Sequence, residues 1–252
     1  MKNALLFALP LMMLTAPAFG QSGAAYEAKY ADASIDRGFI VSHAETLGEG
    51  EIALNSYQLA LAGISYGITD DLQITLTTLL PIMKDMPIVL APQVKWAFFR
   101  TDHQVLTAKM NVNYATMPGE SGGGGSVSGG LSHDFYFDDE GRYAMFSGFD
   151  IGGVFGHLED DWDMGDGLIM AANLGFSAQV TDYMKVMGET ILPAVYADGK
   201  LEVSEIVNFT YGLRFFGDDL AADLGFIRPL GKDANDLDLV MGIPYVAFTA
   251  RI

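Results

Sequence analysis

Residues 127–141, VSGGLSHDFYFDDEG, decide the fold of this chain. Apolar and polar residues alternate up to Phe137, and a run of acids ending in Gly141 follows. Alternation with a period of two is typical of a β-strand with two different faces, and clustered Asp with Gly is typical of a tight turn. The stretch therefore predicts a strand that ends in a tight turn.

Five such Asp-containing turns divide the chain at regular intervals. The first Asp residues of successive turns lie 32, 36, 44 and 36 positions apart, which is the length of two strands, one tight turn and one longer loop. The repeating unit is therefore a β-hairpin. The predicted turns are residues 69–71, 100–103, 137–141, 180–183 and 216–219, and the predicted longer loops are 80–89, 116–125, 156–167, 194–201 and 229–237.

Alternation recurs in other stretches that are long enough to cross a bilayer as tilted strands. It is clear over residues 106–114, 168–180 and 203–215. A soluble β-sandwich shows the same alternation, so other features must distinguish the two folds. Aromatic residues gather beside the five turns, as an interfacial girdle requires, and the polar faces favour Gly, Ser, Thr, Asn and Gln over Lys and Glu. Both features favour an all-β transmembrane barrel, antiparallel and up-and-down.

Composition agrees with one large barrel domain. Half of the 252 residues are apolar and 18% are charged, yet no stretch after residue 20 is apolar for the about 20 residues that a membrane helix needs. The net charge of −18 argues against a nucleic-acid partner, because phosphate backbones are bound by clustered Lys and Arg. The chain has no cysteine, which is compatible with export but does not establish it.

The first twenty residues have the pattern of a secretory signal peptide. Lys2 precedes an apolar stretch over residues 4–14, and Ala18-Phe19-Gly20 provides a small-x-small cleavage site, with cleavage after Ala18 as the alternative. A retained membrane anchor is disfavoured because the apolar stretch is short and contains Pro10. We therefore expect a signal peptide over 1–20, a periplasmic segment over 21–34 and a barrel over 35–252.

The number of strands depends on the start of the barrel. If the C-terminal strand, residues 239–252, ends in the periplasm with the tight turns, an ascending strand must precede the strand that enters the first turn. Residues 35–44 are the candidate, with 47–50 as their connection. This predicts about twelve strands, an even number as such barrels require, with ten as the alternative.

The final strand carries a resemblance to a known class. Residues 244–252, PYVAFTARI, resemble the C-terminal signature of Gram-negative outer-membrane β-barrel proteins, which usually end in Phe or Trp where this chain has Ile252. Residues 66–72, YGITDDL, resemble the hairpin turns of uncharacterised porin-like barrels of this class. The resemblance implies residence in the outer membrane of a Gram-negative bacterium, surrounded by its lipid. It also implies recognition of the final strand by the barrel-assembly machinery.

Strand parity places a set of polar and charged side chains on the inner face of the barrel, where they select ions and polar solutes in pores. A network of paired charges that seals a narrow barrel would have the same pattern. We expect a passive porin-like channel for small polar solutes, with a sealed, surface-binding barrel as the alternative. The lumen candidates are Lys95, Lys109, Asn111, Asp150, Asn173, Lys185, Glu189, Asn208, Arg214, Asp223 and Arg251.

An enzyme is not expected. Some outer-membrane barrels are lipid hydrolases and resemble one another in placing His and Ser two positions apart on a lipid-facing strand. None of the four histidines, His43, His103, His133 and His157, has a serine at that spacing. A pair contributed by two neighbouring strands remains the alternative.

One outer loop, residues 157–167, is rich in carboxylates. Oxygen ligands suit Ca²⁺, but the spacing is not that of a helix-loop-helix calcium site. Acidic loops also serve to keep a surface solvated or to bridge lipopolysaccharide through divalent ions. The candidate ligands are Glu159, Asp160, Asp161, Asp163 and Asp166, and no other cofactor is implied.

Overall fold

A computed structural model describes residues 32–81, 86–116, 123–157, 167–197, 199–231 and 241–252. These residues form thirteen β-strands and no helix. Accordingly, no described segment is a helix long and apolar enough to cross a membrane. The strands are β1 (Ile52–Tyr57), β2 (Leu61–Thr69), β3 (Leu72–Leu79), β4 (Ile88–Arg100), β5 (Gln104–Thr116), β6 (Gly123–Tyr136), β7 (Tyr143–His157), β8 (Leu168–Thr181), β9 (Met184–Ala197), β10 (Lys200–Val203), β11 (Val207–Phe216), β12 (Leu220–Leu230) and β13 (Ile243–Arg251).

Twelve of these strands close into an antiparallel barrel. Apart from β10, strands that follow one another in sequence are neighbours in the sheet. The sheet closes where β1 pairs with β13, from Ala53 opposite Arg251 to Tyr57 opposite Ala247. Closure removes the free sheet edges that an open sheet of this size exposes. The predicted twelve-strand up-and-down barrel is confirmed.

The thirteenth strand, β10, pairs only with the end of β9. The predicted loop at 194–201 is therefore wrong in part, because β9 continues to Ala197 and turns at Gly199, whose φ of 73° favours glycine. The predicted strand at 203–215 begins later than expected, at Val207. The two strands extend the wall as a small hairpin at the end opposite the tight turns.

All five predicted tight turns join neighbouring strands at one end of the barrel, which we call the turn end. The C-terminal strand finishes at the same end, where the Ile252 amide donates to the Ile52 carbonyl at 2.8 Å. The strand ends that flank the predicted longer connections therefore lie at the opposite end, which we call the outer end.

The two faces of the wall have the polarity of a membrane barrel. Outward positions carry exposed Leu, Ile, Val and Phe, such as Leu131 and Leu174, which are 54% and 49% exposed. Inward positions carry buried polar residues, such as Gln73 and Asn113. A soluble sandwich has the opposite arrangement, so this wall fits a surrounding of lipid. Aromatic side chains are exposed beside the tight turns, namely Trp96, Phe98, Phe99, Phe137, Tyr143 and Tyr183.

The predicted first strand, residues 35–44, is wrong. These residues make only the isolated bridge between Arg37 and Ser42. The missing wall strand comes from β1 and β2, which the sequence suggests are one strand. A turn with positive φ at Gln58 and Leu59 separates them, and it contains no Gly, Asn or Asp to mark it. The count of twelve stands because the two errors cancel.

Residues 32–47 instead lie inside the barrel, and we call them the inserted segment. Every one of them except Ile35 and Thr46 is buried. The segment enters at the turn end, where the Ala33 amide donates to the Gly217 carbonyl at 2.9 Å, and it reverses direction where Gly38 donates to Val41. The prediction of a periplasmic segment up to residue 34 is therefore wrong for Asp32, Ala33 and Ser34.

The segment leaves the barrel at the same end, past Gly67 of β2. A Cβ atom at Gly67 would lie 2.0 Å from the Gly48 carbonyl oxygen, so only glycine allows this approach. The Glu49 amide then donates to Asp70 of the first tight turn at 2.9 Å. The connection 47–50 thus lies at the turn end, contrary to the prediction that it joins two strands at the outer end.

A charge on the lipid-facing wall tests the membrane assignment. Leu174 is outward at the middle of β8, so Leu174→Arg should lower the free energy of unfolding by about 2 to 4 kcal/mol in lipid. Leu220→Arg, at the turn-end start of β12, is the control and should cost about 0 to 1 kcal/mol. Urea titration of both variants in vesicles measures the difference. Equal costs at the two positions would contradict a membrane band centred on Leu174.

Candidate functional site

A buried cluster of charges joins the inserted segment to the wall. Asp223 of β12 accepts from Arg214 of β11 at 2.6 and 3.0 Å and from Arg37 of the segment at 2.5 Å. All three side chains are at most 1% exposed. One wall carboxylate is thus shared by one wall guanidinium and one segment guanidinium.

Arg214 also binds the backbone of the segment directly. Its guanidinium donates to the carbonyls of Ser34, Arg37 and Gly38 at 2.7, 2.8 and 2.9 Å. Charge-assisted hydrogen bonds of this kind are stronger than neutral ones. The reversal of the segment is therefore fixed to β11 by one side chain.

Asp32 extends the cluster toward the turn end. Its carboxylate pairs with Lys185 of β9 and lies 3.6 Å from Arg214, while Arg251 donates to its carbonyl at 3.2 Å. Burial alone would raise the pKa of Asp32, but the charges of Lys185 and Arg214 outweigh it and hold that pKa well below its ordinary value. Asp32 is therefore ionised and contributes a negative charge to the cluster.

Glu189 of β9 holds the tip of the segment. Its carboxylate accepts hydrogen bonds from three consecutive backbone amides, those of Phe39, Ile40 and Val41. Successive amides that converge on one anion form a nest, a common backbone site for carboxylates and phosphates. Here the amides and the carboxylate belong to the same chain, so the nest binds the tip of the segment to the wall.

The far side of the segment binds β4, β5 and β6. Glu45 pairs with Arg100 and accepts from the Tyr136 hydroxyl at 2.8 Å, and its carbonyl accepts from Lys95 at 2.9 Å. The Thr107 hydroxyl donates to the Ala44 carbonyl at 2.7 Å. The segment is thus bound on opposite sides of the lumen.

His43 lies between these two sides. Its Nδ1 is 3.7 Å from Asp134 Oδ2, and its ring centroid is 4.1 Å from that of Phe146. Burial lowers the pKa of His43, and the charges of Arg214, Lys185 and Lys95 lower it further. The imidazole is therefore neutral near pH 7.

An apolar layer lies at the tip of the segment. Phe39 and Ile40 pack against Tyr57, Met187 and Tyr245 of the wall, together with Ile227 and Ala247. The rings of Phe39 and Tyr245 meet edge to face at 5.7 Å. Its wall residues come from β1, β9, β12 and β13, so the layer fixes the tip of the segment to one side of the barrel. We distinguish the turn-end half of the lumen, which the segment fills, from the half beyond the tip.

The half beyond the tip, which we call the outer lumen, contains many uncharged polar side chains together with apolar ones such as Val89 and Ile169, and it has no net charge. Lys109 of β5 pairs with Asp150 of β7 at 2.8 Å. Asn111 and Asn113 donate to Ser128 and Ser126 at 3.3 and 3.0 Å. Among the inward strand positions that the structure describes there, Lys109 and Asp150 carry the only charges.

The predicted lumen residues therefore fall into two groups. Lys95, Lys185, Glu189, Arg214, Asp223 and Arg251 contact the inserted segment or its charge cluster. Lys109, Asn111, Asp150 and Asn173 lie in the outer lumen, and Asn208 is buried on β11. Contact of any of them with a solute stays a prediction. The loop candidates Glu159, Asp160, Asp161, Asp163 and Asp166 lie outside the described residues.

Sequence reasoning missed the segment's own contribution, above all Asp32, Arg37 and Glu45. One signal was available, because residues 32–45 contain four charged side chains. That density is unusual for a strand that must present one face to lipid. It fits a segment whose charges meet partners inside the barrel.

Removal of the shared carboxylate tests the cluster. Asp223→Ala leaves two guanidiniums buried without their counter-charge, so we expect a loss of about 3 to 5 kcal/mol in the free energy of unfolding, measured by urea titration. Asp138→Ala is the control. It breaks a pair with the half-exposed Arg142 and one hydrogen bond from the Tyr143 amide, and it should cost about 1 kcal/mol or less. A loss at Asp223 no larger than at Asp138 would show that the cluster does not hold the interior together.

No protein-family model matches the chain, and no curated protein matches it. Solved structures with a similar fold do exist. The NanC porin is 7% identical over 80% of this chain and 97% of its own, with a TM-score of 0.49. OmpT of Vibrio cholerae is 11% identical over 76% of this chain and 63% of its own, with a TM-score of 0.40. LpxR from Salmonella typhimurium is 10% identical over 80% of this chain and 98% of its own, with a TM-score of 0.39.

The sequence prediction that the chain is not an enzyme is wrong, because an enzyme is not excluded. The similar structures include enzymatic barrels, LpxR among them, as well as a porin. At these low identities the likeness concerns the fold alone. A β-barrel fold by itself does not distinguish transport from catalysis.

Closure of twelve antiparallel strands, an apolar outer wall and a polar interior are shared features of one class of protein. The chain has the fold of the Gram-negative outer-membrane β-barrels.

Proposed function

We propose that this chain is a porin-like conduit for small polar solutes in the outer membrane. In this proposal the chain reaches that membrane after cleavage of the signal peptide over residues 1–20. In the state described here the inserted segment closes the turn-end half of the lumen. Passage of a solute requires that the segment move away from the wall.

The observation that carries this proposal is the water-accessible polar wall of the outer lumen. Inward residues of β7 and β8 beyond the segment are partly exposed, including Gly148, Asp150, Gly152 and Asn173. Inward residues of β3 and β5, such as Thr77 and Asn113, are buried instead. The lumen therefore keeps an accessible polar space along one side, which is what a small polar solute needs.

The way the segment is held also supports a movable closure. It forms no strand with the wall. Besides the apolar layer at its tip, it is held mainly by ion pairs and hydrogen bonds that involve side chains such as Arg214, Asp223, Lys185 and Glu189. Buried ion pairs add little net stability over an apolar filling, because desolvation offsets most of the attraction. A permanent seal is made more simply from apolar side chains.

A sealed barrel is the second candidate, and one observation favours it. Arg37, Arg214 and Asp223 are at most 1% exposed, so water does not reach the cluster in this state. A sealed barrel would act through its outer surface, as the sequence alternative suggests. Ion conduction distinguishes the two candidates.

The Arg37→Ala variant tests the conduit directly. It removes the segment's guanidinium but leaves Arg214 and Lys185 balanced by Asp32 and Asp223, so the wall keeps its fold while the segment loses one of its main contacts. We expect rare single-channel openings from the wild type in planar bilayers and at least tenfold more open time from Arg37→Ala.

The control for that experiment is Arg142→Ala, which removes an exposed guanidinium at a tight turn and should conduct like the wild type. Heat-dependent gel mobility establishes that each barrel is folded. Folded barrels that stay silent for both the wild type and Arg37→Ala would contradict the conduit and favour the sealed barrel.

A further inference from the structure

We propose that the outer lumen holds a binding site for neutral, hydroxyl-rich solutes, formed by Asp150 and Asn173 over a floor of glycines on β6 and β7. The proposal rests on the proposed function in one respect, that solutes enter the lumen from the outer end. It adds the chemical class of the solute.

Charge balance excludes strongly charged ligands from this site. The Lys109 ammonium and the Asp150 carboxylate pair at 2.8 Å, so neither charge is left to bind an ion. An anion would meet the Asp150 carboxylate, and a cation would meet the Lys109 ammonium. A neutral solute avoids both repulsions, and hydroxyl groups both donate and accept hydrogen bonds.

The glycine floor makes room for the two polar side chains of the site. A Cβ atom at Gly130 would lie 2.4 Å from Asp150 Oδ1, and a Cβ atom at Gly148 would lie 2.8 and 3.0 Å from Asn173 Nδ2 and Oδ1. The two polar side chains therefore lie flat against the backbone of β6 and β7. Larger residues at Gly130 and Gly148 would push them into the lumen.

Two acceptor atoms at this site lack donors. Asp150 Oδ1 and Asn173 Oδ1 are buried against the wall and accept no hydrogen bond from any described residue. A buried acceptor without a donor costs about 1 to 3 kcal/mol. Rotation of the carboxylate or amide group turns the oxygen toward the lumen, where a solute hydroxyl supplies the missing donor.

The register brings these two side chains together. Asp150 of β7 lies opposite Ala171 of β8, and Asn173 is the next inward residue on β8. Diagonal neighbours on one face of a sheet are about 7 to 8 Å apart between Cα atoms, which adjacent hydroxyls of one sugar ring can bridge. The site therefore favours a solute with at least two neighbouring hydroxyls.

Calorimetric titration of the refolded barrel in detergent tests the proposal with sucrose as the neutral probe and glucosamine and glucuronate as charged comparators. We expect saturable binding of sucrose and at least tenfold weaker binding of both comparators. Asn173→Leu should weaken sucrose binding about tenfold, because one hydrogen-bonding group is lost at similar volume. Gly148→Ala should weaken it as well, because its methyl group displaces Asn173.

Gly153→Ala is the matched control. It lies on the same strand, and a Cβ atom there meets nothing within 4 Å, so sucrose binding should be unchanged. Absence of saturable sucrose binding by the folded wild type would overturn the proposal. So would tighter binding of either charged comparator, or equal affinity of Asn173→Leu and the wild type.

Failure of this site and failure of the conduit are distinguishable, because the titration needs no transport. Sucrose binding by a barrel that never conducts would support the site and contradict the conduit. Conduction by a barrel that binds no sucrose would support the conduit and overturn the site.

Discussion

The interior depends on the interactions of Arg214, the wall residue that binds both the carboxylate of Asp223 and three backbone carbonyls of the inserted segment. A guanidinium with no exposed surface needs partners for its donors, since burial of an unpaired charge costs several kcal/mol. The segment supplies those partners. The charges of the wall and the polar groups of the segment therefore stabilise each other. Arg37 adds to this interaction because it pairs with the same Asp223 carboxylate.

This constraint divides the lumen into two environments. On the turn-end side of the segment's tip, charges are dense, buried and paired, and the segment fills the barrel. Above it, beyond the apolar layer of Phe39, Ile40 and Tyr245, the wall presents amides, hydroxyls and one neutralised pair. A conduit needs a closed state and a polar path, and these are the two halves that the barrel contains.

Much of the wall could be predicted from the sequence because its signals are local. The alternation over residues 127–137 and the Asp-Asp-Glu-Gly turn that follows occupy one hairpin, and the structure forms it as β6 and β7. Inward or outward position followed from the same period of two. The turn at Gln58 was missed because its residues have no turn preference, although its backbone has positive φ.

The position of the inserted segment could not be predicted from such signals. Residues 35–44 have the length and partly the alternation of a strand, and their true partners are distant in sequence. The amides of Phe39, Ile40 and Val41 bind Glu189, which lies 148 to 150 residues further along the chain. Only the closed barrel brings that carboxylate to the tip of the segment. The contacts that fill the candidate site are therefore products of tertiary structure.

Disulfide trapping in intact outer membranes shows whether residues 32–47 occupy the lumen. The chain has no cysteine, and Ala44 of the segment packs against Ala97 on the inner face of β4. If the segment lies in the lumen, Ala44→Cys combined with Ala97→Cys should form a disulfide on mild oxidation. Ala44→Cys combined with Ala108→Cys, on the outer face of β5, should remain reduced. If the segment lay outside the barrel, the first pair would stay reduced, and the thiol at position 44 would react with a maleimide too large to enter the lumen. That result would contradict a segment inside the barrel.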